Sequence, residues 1–167
     1  MKNNKTYTED FIKDGIIGFA IGDALGVPVE FKTREQLKNN PVLDMIENER
    51  YRLPKGTWSD DTCMSLATMD SIIQTKKIDT NDMANKFIKW FRNGEYTATG
   101  KTFDIGITTM KSLQAFELGI DQAENCGQDK EMDNGNGSLM RILPIAYYIW
   151  FMNYNNEEKM DDKMMIH

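Results

Sequence analysis

Histidine is almost missing: the only one in 167 residues is His167, the last position. A histidine-ligated zinc site or a serine–histidine triad inside the chain is thereby excluded, unless another chain supplies the imidazole. Cysteine is nearly as scarce. Cys63 and Cys126 stand far apart and unaccompanied by histidine, so a reduced cytosolic protein is the simpler reading, with one disulfide left open. No apolar run reaches the roughly 20 residues that cross a bilayer; the nearest, residues 16–29, is short and broken by Asp23. Met1 to Asp10 lacks the basic and apolar regions of a signal peptide. The expectation is a soluble, cytoplasmic protein with no membrane partner. Positive charge is also in deficit, 20 Lys and Arg against 26 Asp and Glu for a net charge of −6. That argues against a nucleic-acid backbone as main partner, although backbone amides or a bound cation can still attract a small anion. Any catalysis must rest on carboxylates, hydroxyls, backbone groups or a metal held by oxygen.

What is present is a helical pattern. Apolar residues make up 40% of the chain and aromatics 10%, enough for a globular core. Glu9 to about Val27 reads as a first helix with Phe11, Ile16, Phe19 and Ile21 as its apolar residues, ended by Pro28. Residues 41–56 read as a long loop with at most one helical turn. Ser59 is placed to cap a helix over Asp60–Thr75 with a stripe of Cys63, Leu66, Met69 and Ile73. A third helix follows Thr80 to about Arg92, turning Ala84, Phe87, Ile88 and Phe91 inward. A fourth carries Ile107, Met110, Leu113 and Phe116, with Asp104 as its cap and Gly119 as its stop. Residues 121–137 read as loop, and 138–153 as helix kinked or restarted at Pro144. No segment alternates like a strand. The fold class is all-α, one domain over residues 1–167.

Four constellations bear on chemistry, each with a plain structural reading beside the functional one. Gly15, Gly18, Gly22 and Gly26 lie along one helical face, each costing about 1 kcal/mol against alanine. Either helices pack closely there, or the bare face admits a ligand, with Glu30 at its rim. Ser59-Asp60-Asp61 makes a good helix start on capping and dipole grounds. It is also a hydroxyl and two carboxylates, part of an oxygen shell suited to Mg²⁺ or Mn²⁺. Asp104 reads as a cap, or as a further carboxylate facing the same pocket. Gly135-Asn136-Gly137-Ser138-Leu139-Met140-Arg141 is a flexible loop entering a helix, or a row of amides that cradles phosphate with Arg141 as a charged contact.

Taken together and in order, Gly22-Asp23-Ala24-Leu25-Gly26 with Pro28 and Glu30, Trp58-Ser59-Asp60-Asp61-Thr62, Asp104-Ile105-Gly106-Ile107-Thr108-Thr109 and Gly135 to Arg141 followed by Pro144-Ile145-Ala146 resemble the ADP-ribosylglycohydrolase family. That family includes the dinitrogenase reductase-activating glycohydrolases, the ADP-ribosyl-acceptor hydrolases and the J1-crystallins. The resemblance implies an all-α domain with two divalent cations, Mg²⁺ or in some members Mn²⁺. It implies hydrolysis of the bond at C1″ of an ADP-ribosylated protein or small acceptor. Carried over by position, Ser59, Asp60 and Asp61 are metal ligands, with Glu30, Asp61 and Asp104 catalytic. Gly135, Asn136, Gly137, Ser138, Met140 and Arg141 hold the ADP-ribose.

Two departures qualify this. Ile107 stands where arginine-directed members often have asparagine, which leaves the acceptor linkage open. Family members are also nearly twice as long and carry a second acidic cluster, Asp-x-Asp-Thr, near the C-terminus. Neither Asp161-Asp162 nor Asp79-Thr80 supplies it. The chain therefore reads as the N-terminal part of one such domain, poorly active alone and completed by a missing half or a second chain. The competing readings are a non-catalytic ADP-ribose-binding or structural relative and, with less support from four ordered motifs, an all-α interaction domain.

Overall fold

The glycine-studded opening segment is helical from Asn4 to Gly26 (α1), beginning before the expected Glu9. Its end is a 3-10 turn, Val27–Val29, with Pro28 inside it. This computed structural model describes residues 4–133 and 135–155; Asn134, the acidic pair at 161–162 and His167 lie outside them. A short helix that the apolar pattern does not announce, α2, spans Arg34–Asn39. The signal for it is polar: Thr33 and Gln36 form a capping box, each side chain bonding the other's backbone N–H. Residues 41–56 form the expected long loop, without a helical turn, and an isolated bridge between Asn48 and Leu53 pins it.

Four more helices follow: α3 over Asp60–Thr75, α4 over Thr80–Asn93, α5 over Ile107–Glu117 and α6 over Leu143–Asn155. The described residues contain no strand, so the fold is all-α. The boundaries of α3 and α4 follow their signals, Ser59 and Asp79 as N-caps and left-handed Lys76 and Gly94 as C-caps. Asp104 does not cap α5. Gly106 occupies that position without a side-chain bond, and Asp104 sits in the left-handed region at φ 55°. A 3-10 run over Asn136–Arg141 leads into α6, whose first turn takes Pro144 at no cost in hydrogen bonds.

The core is built on α3. Cys63, Met64, Ala67 and Ile72 meet Met83, Phe87 and Trp90 of α4 and Leu113 of α5, with Trp90 and Met64 fully buried. The expected α3 stripe is thus rotated, since Ile73 is 55% exposed while Met64 and Ala67 are enclosed. The reason is that α3 is central, touching α1, α4, α6 and the 136–141 run, so more than one face is covered. Lys86, itself buried, ties α4 to α3 by donating from Nζ to Asp70 Oδ2 at 2.7 Å and to Gln74 Oε1 at 3.1 Å. Both cysteines are free and buried. No helix among the described residues is long and apolar enough to cross a membrane.

The four glycines of α1 divide. A Cβ on Gly15 would lie 1.7 Å from the Tyr147 hydroxyl, so α6 packs directly on it, and Phe11 meets Tyr147 edge-on at 5.7 Å. Gly18, Gly22 and Gly26 meet no described atom within 4 Å. Phe11 and Ile21, two of the helix's apolar residues, are 52% and 44% exposed. Gly18→Ala should therefore raise the unfolding free energy of this chain by about 1 kcal/mol, read from urea denaturation. A loss of stability would show that something covers this face.

Candidate active site

Asp23 organises the site. It points from α1 at the first turn of α3 and accepts four hydrogen bonds there: from Ser59 N at 2.9 Å, Ser59 Oγ at 2.7 Å, Thr62 N at 3.1 Å and Thr62 Oγ1 at 2.6 Å. Two of the free amides of the helix start are satisfied by an anion at the positive end of the dipole. The same contact fixes the Ser59 hydroxyl. Its proton is directed at Asp23 and its oxygen accepts from Asp61 N at 3.3 Å, so one lone pair stays available. Asp61 Oδ2 lies 3.3 Å from that oxygen.

Around this clamp gather the carboxylates. Asp60 is buried, and its carboxyl is pushed up to about 7, first by burial and then by the charges of Asp61, Asp104 and Asp23. Asp61 is raised by burial and then by Asp23. Glu30 is pushed up to about 7 by burial, by a hydrogen bond with Asp104 and by the charges of Asp104 and Asp61. The structure thus brings Glu30, Asp60, Asp61 and Asp104 into one neighbourhood.

Asp104 is held from the loop side. Asn48, buried, donates from Nδ2 to Val27 O at 3.2 Å and accepts from Tyr51 N at 3.0 Å. This places the Tyr51 hydroxyl to donate to Asp104 Oδ1 at 3.2 Å. Two non-glycine residues in this neighbourhood take left-handed backbone conformations, Phe31 at φ 66° next to Glu30 and Asp104 at 55°. Such strain persists only where surrounding contacts enforce it.

The donor set suits a hard divalent cation in chemistry and falls short of one in number. Ser59, Asp60 and Asp61 offer oxygen only, as Mg²⁺ and Mn²⁺ require. Among the described residues, however, no three carboxylate, cysteine or histidine groups are disposed to hold a metal by themselves. The three residues amount to part of a shell.

The 135–141 segment does not act as one unit. Its glycine end abuts the first turn of α5: a Cβ on Gly135 would lie 3.8 Å from Thr108 Oγ1, and one on Gly137 only 2.7 Å from Thr109 Oγ1. Met140 O accepts from Ser65 Oγ at 3.1 Å, one turn along α3 from Asp61. Asn136 and Ser138 are exposed. Arg141, expected to reach a phosphate at this site, is turned elsewhere. Its guanidinium lies over the Phe87 ring at 5.0 Å with Nη1 3.8 Å from Met64 Sδ.

Asp23 enters the sequence reading only as a member of the Gly22–Gly26 motif, with no role of its own, and Tyr51 does not enter it at all. An acid in the middle of an otherwise apolar and glycine-rich helix was the available signal for Asp23. Nothing local marks Tyr51, whose role depends on a loop fold.

Fold and site define an all-α domain with a carboxylate pocket built without imidazole. Residues 4–163 match the model of the ADP-ribosylglycohydrolase family, and the chain belongs to that family. It is 35% identical over 142 residues to the ADP-ribosylarginine hydrolase Tri1 of Pseudomonas putida, covering 83% of this chain and 36% of the relative. It is 30% identical over 132 residues to the ADP-ribosyl-[dinitrogen reductase] glycohydrolase of Rhodospirillum rubrum, covering 78% of this chain and 42% of that one. A solved structure described as an "ADP-ribosylglycohydrolase-related protein complex" superposes with a TM-score of 0.61 at 30% identity, over 78% of this chain and 40% of the other. The chain therefore spans about two fifths of the length of these relatives.

Proposed function

We propose that this chain forms the carboxylate half of an ADP-ribosylglycohydrolase site that cleaves the C1″ bond between ADP-ribose and an acceptor nitrogen, arginine in the first instance. The observation that carries this is the convergence of Asp23, Glu30, Ser59, Asp60, Asp61 and Asp104 on one helix start. Family membership and the name of the Pseudomonas putida relative support the arginine acceptor. A divalent cation, Mg²⁺ or Mn²⁺, would be held by Ser59, Asp60 and Asp61, and when bound it supplies charge neutralisation and orientation of ribose hydroxyls.

Glu30 takes the proton of the attacking water, and a carboxyl raised to about 7 is well matched to that task near neutral pH. Water adds at C1″, the glycosidic C–N bond breaks through an oxocarbenium-like state, and the proton taken by Glu30 passes to the departing acceptor nitrogen. Asp104, held by Tyr51, keeps Glu30 in place and faces the departing acceptor. Amides of Gly135 to Met140 hold the diphosphate, which reconciles an anionic ligand with an acidic chain. The assay is release of ADP-ribose from ADP-ribosylarginine with excess Mg²⁺, comparing this chain with the full-length Pseudomonas putida relative as reference. The chain alone should turn over at least about 100-fold more slowly, because Mg²⁺ needs near-octahedral oxygen coordination and the shell is partial. Turnover that matches the reference and survives Asp61→Asn would refute the assignment.

A further inference from the structure

A cation stands at the edge of the carboxylate pocket. Arg50 lies in the loop between α2 and α3, two positions after the buried Asn48, and its side chain is exposed. Its Cζ sits 4.6 Å from the centre of the Phe31 ring and 5.3 Å from that of Tyr51. Phe31 follows Glu30 in the chain, while Tyr51 bonds Asp104 and packs against Phe103 with ring centres 5.2 Å apart. Both rings thus border the acids assigned to catalysis. The charge is felt there as well: burial and the neighbouring acids raise Glu30, and Arg50 opposes them.

Two features set Arg50 apart from a solvated surface arginine. Its guanidinium is docked on aromatic rings, which orders the planar fork before any ligand arrives. One of those rings, Phe31, is 71% exposed and is presented from a left-handed backbone at φ 66°, uncommon for a bulky residue. The second feature is that no hydrogen bond or ion pair among the described residues engages its N–H groups. Five donors in a rigid fork are therefore free for an anion.

The charges are ordered as an arginine conjugate would need them. Asp104 bonds the Tyr51 hydroxyl, and Arg50 lies over the ring of the same residue. One tyrosine side chain accordingly separates acid from cation in the site. One arginine side chain separates the cationic guanidinium of the substrate from its carboxylate. With the guanidinium end at Asp104 and Glu30, the carboxylate falls on the Arg50 side.

We propose that Arg50 determines specificity on the acceptor side, its N–H fork taking a carboxylate carried by the acceptor. That carboxylate is the α-carboxylate of arginine itself or an acidic side chain next to the modified arginine in a polypeptide. The proposal rests on the hydrolase reading above and adds a preference to it.

The test is calorimetric titration of this chain with Mg²⁺ present and heats of hydrolysis subtracted. ADP-ribose alone is the reference ligand. The first pair is ADP-ribosylarginine and ADP-ribosylagmatine, which has the same guanidine side chain and no carboxylate. The second pair is the end-blocked dipeptides Arg-Glu and Arg-Gln, each ADP-ribosylated on arginine. Arg50→Met, which keeps an apolar stem on the rings, should weaken the carboxylate-bearing member of a pair at least about fivefold and its partner less than about twofold. Selective loss in the first pair assigns the α-carboxylate, and in the second the acidic side chain. Arg52→Met, an equal change of net charge two positions away, should leave every affinity unchanged. Equal weakening within both pairs, or none, overturns the proposal; a general loss that includes ADP-ribose would assign Arg50 to the diphosphate or to the fold. Wild-type chain that binds ADP-ribose and does not discriminate within either pair refutes this inference alone. Wild-type chain that binds none of the ligands refutes the hydrolase reading with it.

Discussion

Asp23→Ala is expected to remove about 3–5 kcal/mol of stability, a large share of the roughly 5–15 kcal/mol that a domain possesses. One carboxylate accepts from two hydroxyls and two amides of α3. Its loss leaves the buried Ser59 and Thr62 with unmet donors. Asp23→Asn separates scaffold from ligand orientation. An amide oxygen in place of Oδ2 keeps the three bonds made there, and an amide NH₂ in place of Oδ1 makes the Ser59 hydroxyl accept instead of donate. Stability should then fall by only about 1–2 kcal/mol, while the Ser59 lone pair offered to a cation is consumed. Chemical denaturation gives the first quantity and Mg²⁺-induced change in Tm the second. An Asn variant with full Mg²⁺ response would remove Ser59 from the proposed ligand set.

The second large effect is on pH. Asp60 ordinarily titrates at 3.8 and here at about 7, a difference corresponding to about 4 kcal/mol. With the folded value raised, the native state holds a proton that the unfolded chain has already released. Stability is then highest below pH 4 as far as this group is concerned, and falls as pH rises from about 4 to about 7. Glu30 acts in the same direction over the same window. In chelator-treated buffer the chain should be less stable at pH 8 than at pH 5.5. Asp60→Asn should remove about half of that difference, Glu30 accounting for a comparable share, and should stabilise the chain at pH 8. Millimolar Mg²⁺ should rescue wild type at pH 8 and leave the Asn variant unmoved, since the cation replaces the proton only where a carboxylate stands. A wild-type midpoint that is flat from pH 5.5 to 8 would contradict this picture of crowded, buried acids.

Legibility in the sequence followed the range of the interactions involved. The span of α3 was readable because its cap is local, Ser59 preceding the helix, and that of α4 because its apolar residues Ala84, Phe87, Ile88 and Phe91 recur at helical spacing. The motif residues were readable because an ordered set of motifs is specific even where each alone is weak. What was hidden depends on contacts distant in sequence. Asp104 looked like a cap and is instead held left-handed by Tyr51, 53 positions away. Arg141 looked like a phosphate ligand and lies over Phe87. The rotated stripe of α3 follows from that helix being covered on several sides, which periodicity along one helix does not encode.

The Asp23 clamp also has a consequence for synthesis. The carboxylate on α1 and its partners at the head of α3 are separated by 36 and 39 positions. During translation at roughly 5–20 residues per second, Asp23 leaves the ribosome seconds before Ser59 and Thr62 can meet it. Closing a loop of that length costs conformational entropy before any contact repays it. The nascent α1 therefore waits with its acid and its bare glycine face unmatched, and the clamp is complete only when the second of the two hydroxyls, that of Thr62, arrives.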